Sequence, residues 1–362
     1  MLLRELKLEN FRLFSQVEID FSEQVNIITG MNGQGKTSIL ESLYYTALTK
    51  SFRTKNDKHA IQYDKDHFNI NTSFYSDSQT RSKIRVYCSS EEGKHLFLDE
   101  NKIVKFSEYI GTIPCVLLTL DDLKLTLGSP AERRRFLDIL LSQVSPLYLD
   151  HLKNYRRSLM QRNAWLAKST GSADQRELEI WNEQLVEHGT AIIMKRRELL
   201  EFLNSNLGDR YNLFVKNNES ITVKYLCTLN PEKENLTKQF YDRLKRLNHT
   251  EKQRATTMTG PHRDDIEFYK NEKSFKEYGS QGENKTLVIA LKLTEWEYLS
   301  RSRNTNPILL LDDIFGELDQ NRIEALVKVL GTIGQAFITT TMEKFPYQGH
   351  KIVVKSGMIM HG

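Results

Sequence analysis

The chain has 362 residues, enough for two domains or one large interrupted one, and its 39% hydrophobic and 10% aromatic content can build a full core, which excludes a disordered chain. Net charge is only +4, from 51 basic and 47 acidic side chains, so a nucleic-acid reading must rest on local clusters rather than bulk charge. Cys88, Cys115 and Cys227 stand alone, which excludes a disulfide framework and zinc spacing. The start, "MLLRELKLEN", has no apolar core or cleavage site, and no apolar run is long enough for a membrane span. A reduced, cytoplasmic protein without membrane contact is expected.

The first third reads as sheet. "ELKLEN" and "VEIDF" alternate apolar and charged residues, and "VNIITG" is a buried-strand run ending in glycine. Ile39, Leu40, Leu43, Tyr44, Ala47 and Leu48 then follow helical spacing, and "HFNINTSFY", "KIRVY" and "HLFL" continue an antiparallel sheet to about residue 120. Residues 122–255 read as a helical lobe of long, charged segments with apolar residues three and four apart. "TGSADQ" (Thr170 to Gln175) reads as a helix–helix turn, and "ITVKYL" as a strand. The last hundred residues alternate strand and helix. The expected organisation is an α/β body, residues 1–121 and 256–362, interrupted by the helical lobe.

Gly30-Met31-Asn32-Gly33-Gln34-Gly35-Lys36-Thr37 matches the phosphate-loop pattern and lies between a buried strand and a helix. Its backbone N–H groups, through Ser38, would curl around phosphates, Lys36 would reach the β- and γ-phosphates, and Thr37 would ligate Mg²⁺. "PILLLDDIFGELD" places Asp312 and Asp313 at the C-terminal edge of a central strand. The first carboxylate would hold Mg²⁺, and the second would orient or deprotonate the attacking water. "YGSQGENKTLVIALKL" opens with bare N–H groups and the Ser280 hydroxyl, then becomes a helix apolar almost all round. Phosphate loop, Ser280–Gly282 signature, acidic strand, a D-loop at Gly316–Asp319 and the "FITTT" strand are the ordered parts of an ABC-type ATPase. ATP with Mg²⁺ is the expected ligand, and Lys36, Asp312 and Asp313 are the expected catalytic set.

The long interval between the two halves of this site resembles the helical excursions of chromosome-maintenance ATPases. From end to end the chain resembles the RecF family of bacterial recombination mediators. The resemblance is carried by "LENFR", "GMNGQGKTSILES", "TKSFRT", "LTLDDLKLTLGSPAERRRFLD", "YRRSLMQRNAWL", "TGPHRDD", "GSQGENKTLVIALKL" and "LLLDDIFGELD". It implies an ABC-type head of mixed sheets and helices with an inserted α-helical lobe. It also implies ATP-dependent dimerisation on gapped DNA, promotion of RecA loading with RecO and RecR, and slow, DNA-dependent ATP hydrolysis. Recombinational repair, replication-fork maintenance and the SOS response are the implied settings. Ser280 and Gly282 are implied to meet the nucleotide of a second molecule, and Asp319 to be nucleotide-binding. In one departure from the usual signature, Glu283 stands where glutamine is common; at the acidic strand end, Asp313 stands where many ABC-type enzymes carry glutamate.

Arg12 and Arg53 read equally well as nucleotide or DNA contacts and as surface ion-pair members. His151 to Ala173 carries Lys153, Arg156, Arg157, Arg162 and Lys168 with Tyr155 and Trp165 interleaved, which suits DNA phosphates or a solvated helix face. "ERRRF" (Glu132 to Phe136) reads the same way, or as arginines pinning the lobe. His262, Arg263 and Asp264 lack a second ligand pair, so a structural turn beside the nucleotide is expected rather than a metal site. A transporter subunit and a phosphate-loop kinase are the rivals. The first has no need of the helical lobe, the second no need of a signature helix.

Overall fold

The computed structural model describes residues 2–76, 80–168, 175–230, 235–342 and 344–360. The chain divides into two compact units. The first comprises Met1–Asp122, Arg210–Asn217 and Lys285–Gly362, and the second Leu123–Asp209 and Asn218–Asn284.

The first unit holds two six-stranded sheets. One is antiparallel, ordered Phe14–Asp20, Leu2–Phe11, His67–Tyr75, Arg81–Ser89, Gly93–Leu98 and Asn101–Lys102. Its alternating strands turn Leu6, Leu8, Phe68, Ile70, Ile84 and Val86 inward, as a sheet with one covered face requires. The other runs Met358–Met360, His350–Lys355, Val25–Thr29, Ala336–Thr340, Ile308–Asp312 and Cys115–Leu118, parallel except for the terminal hairpin. Its central strands are continuous apolar runs because parallel sheets are covered on both faces. The helix Lys36–Leu48 packs on both sheets and is buried almost all round. Tyr45 meets Phe68 edge-on at 5.6 Å, and Tyr109 donates its hydroxyl to the Thr46 carbonyl at 2.6 Å. The expected antiparallel run to residue 120 therefore ends earlier: Cys115–Leu118 pairs in parallel with Ile308–Asp312. Only long-range pairing distinguishes such a strand from its antiparallel neighbours.

The second unit contains the helices Pro130–Val144, Pro146–Lys168 and Leu236–Arg254 and most of Gln175–Asn212. It also contains a three-stranded antiparallel sheet, Lys273–Ser274, Asp265–Lys270 and Ile221–Leu226. Residues 256–284 thus pack with the helical unit, where the sequence reading had placed them in the α/β body. The cause is strand pairing, Ile266 opposite Tyr225 and Phe268 opposite Val223, reinforced by the bidentate Arg133–Asp265 pair at 2.7 and 2.8 Å. The expected turn at 170–174 lies outside the described residues. Among them, no helix is long and apolar enough to cross a membrane.

Candidate functional site

The site in the first unit grows from the buried strand Val25–Thr29 and the helix that begins at Lys36. Two glycines make the connection possible. At Gly30 (φ +155°) a Cβ would lie 2.4 Å from the Val354 carbonyl oxygen. At Gly35 (φ +110°) it would lie 2.9 Å from the Phe14 ring, in a left-handed conformation that side chains resist. Gln34 is tied to the C-terminal hairpin: its side-chain oxygen accepts from the Ser356 N–H, and its carbonyl accepts from the Gly357 N–H at 3.3 Å.

Lys36 is 6% exposed and donates to the carbonyls of Gly30 (2.6 Å) and Met31 (3.0 Å). Burial pulls its ammonium below the ordinary value, against the opposing charges of Asp313 and Asp312. One strand further across the sheet, beyond Ala336–Thr340, Ile308–Asp312 ends in the first aspartate, and Asp313 follows it directly. Asp312 Oδ1 accepts from Thr37 Oγ1 at 3.0 Å and from Thr339 Oγ1 at 2.7 Å. Burial pushes the Asp312 carboxyl up, the two hydroxyls pull it down, and the Asp313 charge adds to the rise. Asp313 sits at φ +51° and donates its N–H to Thr339 Oγ1 at 2.9 Å. Its position therefore depends on a threonine of the strand Ala336–Thr340. Three oxygens from Thr37, Asp312 and Thr339 with a nearby carboxylate form a hard donor set, the kind that suits Mg²⁺ beside a phosphate.

A cavity of about 480 Å³ opens here, lined among others by Asn32, Gly33, Lys36, Thr37, Ser38 and Asp313. Arg12 and Arg53 line it as well, and both pair with a buried carboxylate. Glu41 accepts two bonds from Arg12, at 2.9 and 2.6 Å, and one from Ser51 at 2.5 Å, with Arg53 Nη1 at 3.5 Å. Each of these arginines is an ion-pair member, and each lines the cavity. Glu41 escaped the sequence reading. Its signal was a lone acid, four residues after Thr37, on a helix otherwise too apolar to carry one.

The other expected site residues lie elsewhere. Asp319 caps the helix Gln320–Leu330, accepting from the Arg322 N–H at 3.0 Å, and pairs with the Arg322 side chain. Ser280 and Gly282 open the helix Gln281–Arg303, buried along Leu287–Leu291 as expected. Ser280 and Glu283 form a reciprocal capping box: Ser280 N–H donates to Glu283 Oε2 at 2.9 Å, and Glu283 N–H to Ser280 Oγ at 3.3 Å. Lys270 pairs with the Glu283 carboxylate and is the main cause of its lowered pKa. The acid that departs from the usual signature is thus charge-balanced and committed to the helix start. Because Ser280 Oγ accepts there, its O–H remains able to donate.

On the helix Pro146–Lys168 the basic run splits. Lys153, Arg156 and Arg157 are exposed, although Arg156 reaches Asp138 at 3.0 Å. Arg162 corrects the expectation of a DNA contact: it is fully buried and bonded to Glu251 (2.7 Å), Asn182 (2.7 Å) and Thr257 (2.8 Å). Helical phase puts it one turn beyond Ser158 on the buried face, where only a matching carboxylate makes a guanidinium tolerable. His262 forms a structural turn within the second unit. Its Nε2 faces the Thr257 carbonyl at 3.1 Å and must donate, so Nδ1 accepts from the Tyr155 hydroxyl at 2.6 Å.

The model of the RecF/RecN/SMC N-terminal domain matches residues 2–358. The chain is 40% identical over 352 residues to the DNA replication and repair protein RecF of Chloroherpeton thalassium, covering 95% of this chain and 96% of that one. It is 36% identical over 368 residues to the protein of the same name from Prosthecochloris aestuarii, covering 100% and 99%. A solved structure titled as the recombination mediator protein RecF with ATP in the RecFOR pathway superposes with a TM-score of 0.92 at 29% identity, covering 99% and 97%. An Smc head bound to the C-winged helix domain of ScpA superposes at 0.57 with 15% identity, covering 99% and 96%, which is a likeness of fold. With a family model spanning nearly every residue and full-length relatives above one-third identity, the chain belongs to the RecF family.

Proposed function

We propose that this chain is an ATP-switched DNA-repair protein of the RecFOR type. The observation that carries the reading is the convergence of Thr37 Oγ1 and Thr339 Oγ1 on Asp312 Oδ1, beside Lys36 on its glycine-built loop. Relatives whose names and titles refer to RecF, ATP and the RecFOR pathway support it. Lys36 exchanges its loop carbonyls for the β- and γ-phosphates, and the loop N–H groups from Gly30 to Ser38 cradle the rest. Mg²⁺, which supplies charge neutralisation at the phosphates when bound, fits Thr37 and Asp312. Thr339 fixes the orientation of Asp312 and the backbone of Asp313. The Asp313 carboxylate orients the attacking water and takes its proton, and its short arm suits slow turnover. Arg12 and Arg53, held by Glu41, contact the nucleotide.

Ser280, Gly282 and Asp319 serve the nucleotide of a second copy, so that two chains sandwich two ATP molecules with two-fold symmetry. Hydrolysis removes the γ-phosphate and loosens the pair. Lys153, Arg156 and Arg157 contact DNA phosphates without regard to sequence, at gaps or single-strand/double-strand junctions. DNA stimulates the weak ATPase, and the complex works in the cytoplasm with RecR, and through it RecO and RecA, in repair, fork maintenance and the SOS response.

A mixing experiment tests the shared site. Lys36→Met and Ser280→Arg chains are each expected to be inactive, while their mixture regains partial ATP-dependent dimerisation and hydrolysis from one intact site. No recovery at any ratio, with ATP-bound protein sedimenting as a monomer, overturns the proposal.

A further inference from the structure

The helical unit lines a cavity of about 300 Å³ whose charge, apart from that of Arg156, the proposed function does not use. Arg134, Arg135, Arg156 and Arg196 line it, against one lining carboxylate, Asp138. That carboxylate is already fully engaged: Arg196 reaches it at 2.9 Å, Arg156 at 3.0 Å, and the Tyr148 hydroxyl at 2.7 Å. Asp264 and Asp265 do not line the cavity. Asp265 is held bidentately by Arg133, and Asp264 accepts from the Tyr225 hydroxyl at 2.6 Å. Asp264 Oδ1 is buried without a hydrogen-bond partner among the described residues, and burial pushes that carboxyl up.

Arg196 is 2% exposed, and its Nε has no hydrogen-bond partner among the described residues. A buried guanidinium donor without an acceptor is costly unless something supplies one. Arg135 is exposed and makes no ion pair among the described residues. Arg134 spends one donor on the Asp264 carbonyl at 2.8 Å. Its pKa is drawn below the ordinary value by burial and then by the charge of Arg196, a repulsion that an anion between them relieves. In the same lining His262 is held neutral, its pKa down to about 4, and Leu152 and Leu159 are apolar. Neither contributes a competing negative charge.

We propose that this cavity is an anion site, separate from the phosphate loop, that takes the dianionic phosphate monoester end of a phosphorylated ligand. The lining carries four positive charges and one negative, so a dianion fits it better than the single charge of a carboxylate or a backbone phosphodiester. Planar guanidinium groups match the tetrahedral oxygens of phosphate by paired N–H donors. The cavity is large enough for such a group, and Leu152, Leu159 and Ile192 supply apolar lining for the atoms that carry it.

The test uses the full chain with Lys36→Met, which removes the phosphate loop as a competitor, titrated calorimetrically with inorganic phosphate. One bound phosphate per chain is expected, displaced by sulfate and not by acetate. Arg135→Glu, an exposed change, should weaken it by about tenfold or more. Arg196→Lys should do the same, with circular dichroism showing that the fold is kept. Adenosine monophosphate and a 5′-phosphorylated oligonucleotide distinguish a free nucleotide from a nucleic-acid end, and tighter binding of either than of its unphosphorylated counterpart supports the site. No phosphate binding, displacement by acetate, equal affinity for the unphosphorylated counterparts or unchanged affinity in Arg135→Glu overturns the proposal.

Discussion

Lys36 and Arg162 are both cations withdrawn from water, one in each unit, and they are held in opposite ways. Lys36 rests on two backbone carbonyls of a glycine loop, a provisional arrangement in which burial lowers its pKa. Arg162 is locked by a buried carboxylate, an amide and a hydroxyl at 2.7 to 2.8 Å. Under the proposed function the first is a group kept ready for an incoming ligand. The second has its ligand built in, which is why a basic residue of a basic helix is unavailable to DNA. A buried charge is functional where its partners are exchangeable and structural where they are permanent.

The comparison can be broken most sharply at the loop side. Asp313→Asn should keep ATP binding and lose about 10²- to 10⁴-fold in turnover, read in a single-turnover hydrolysis assay. A wild-type rate removes Asp313 from the chemistry and leaves the Thr339 contact purely structural. On the other side, Arg162→Ala leaves Glu251 buried without its cation. It should destabilise the second unit by about 3–5 kcal/mol in urea unfolding, with nucleotide affinity in the surviving native protein little changed. If the variant unfolds like wild type, the built-in ligand is worth nothing and the contrast with Lys36 fails.

His262 sharpens the same point through pH. Its pKa is lowered to about 4 chiefly by burial, so the folded chain keeps it neutral while the unfolded chain protonates it near 6.5. The unfolded state therefore binds the extra proton below pH 6.5. Stability is fully present above that pH and is lost as pH falls toward 4, by about 3 kcal/mol for this group. His262→Gln should lose that much less between pH 7 and 4 than wild type does, measured by urea unfolding at each pH. Parallel curves would mean that the histidine is not held neutral by its turn.

The smallest effect concerns the exposed face of the Arg162 helix. Lys153→Ala with Arg157→Ala removes two phosphate contacts, so the slope of log K against log salt should flatten by about 1.8. An unchanged slope makes Lys153 and Arg157 solvated residues and leaves Arg156 as the helix's remaining proposed DNA contact.

Much of the candidate site was legible because its chemistry is local. A strand, a glycine loop and a helix start in sequence, and Gly30, Gly35, Lys36 and Thr37 have their roles within one short segment. Asp312 and Asp313 were legible for a related reason, since an apolar strand ending in two acids has few uses. Glu41 was not legible. Its worth lies in Arg12 and Arg53, brought to it by the turn after the first strand and by the segment following the phosphate-loop helix. The same limit explains residues 256–284, whose alternation announces a strand but not which unit supplies its partner.

The sequence alone thus determined the α/β character, the phosphate loop with its acidic strand, the buried signature helix and the helical excursion, because periodicity and backbone demands act over a few residues. Tertiary structure alone decided that Arg162 belongs to the core and Arg157 to the surface of one helix. It decided too that Glu283 caps its helix with Lys270 as counter-charge, and that four arginines from three helices line one cavity with Asp138. These are questions of which charges meet. Coulomb and desolvation terms depend on distance in space, which the order of residues along the chain does not specify.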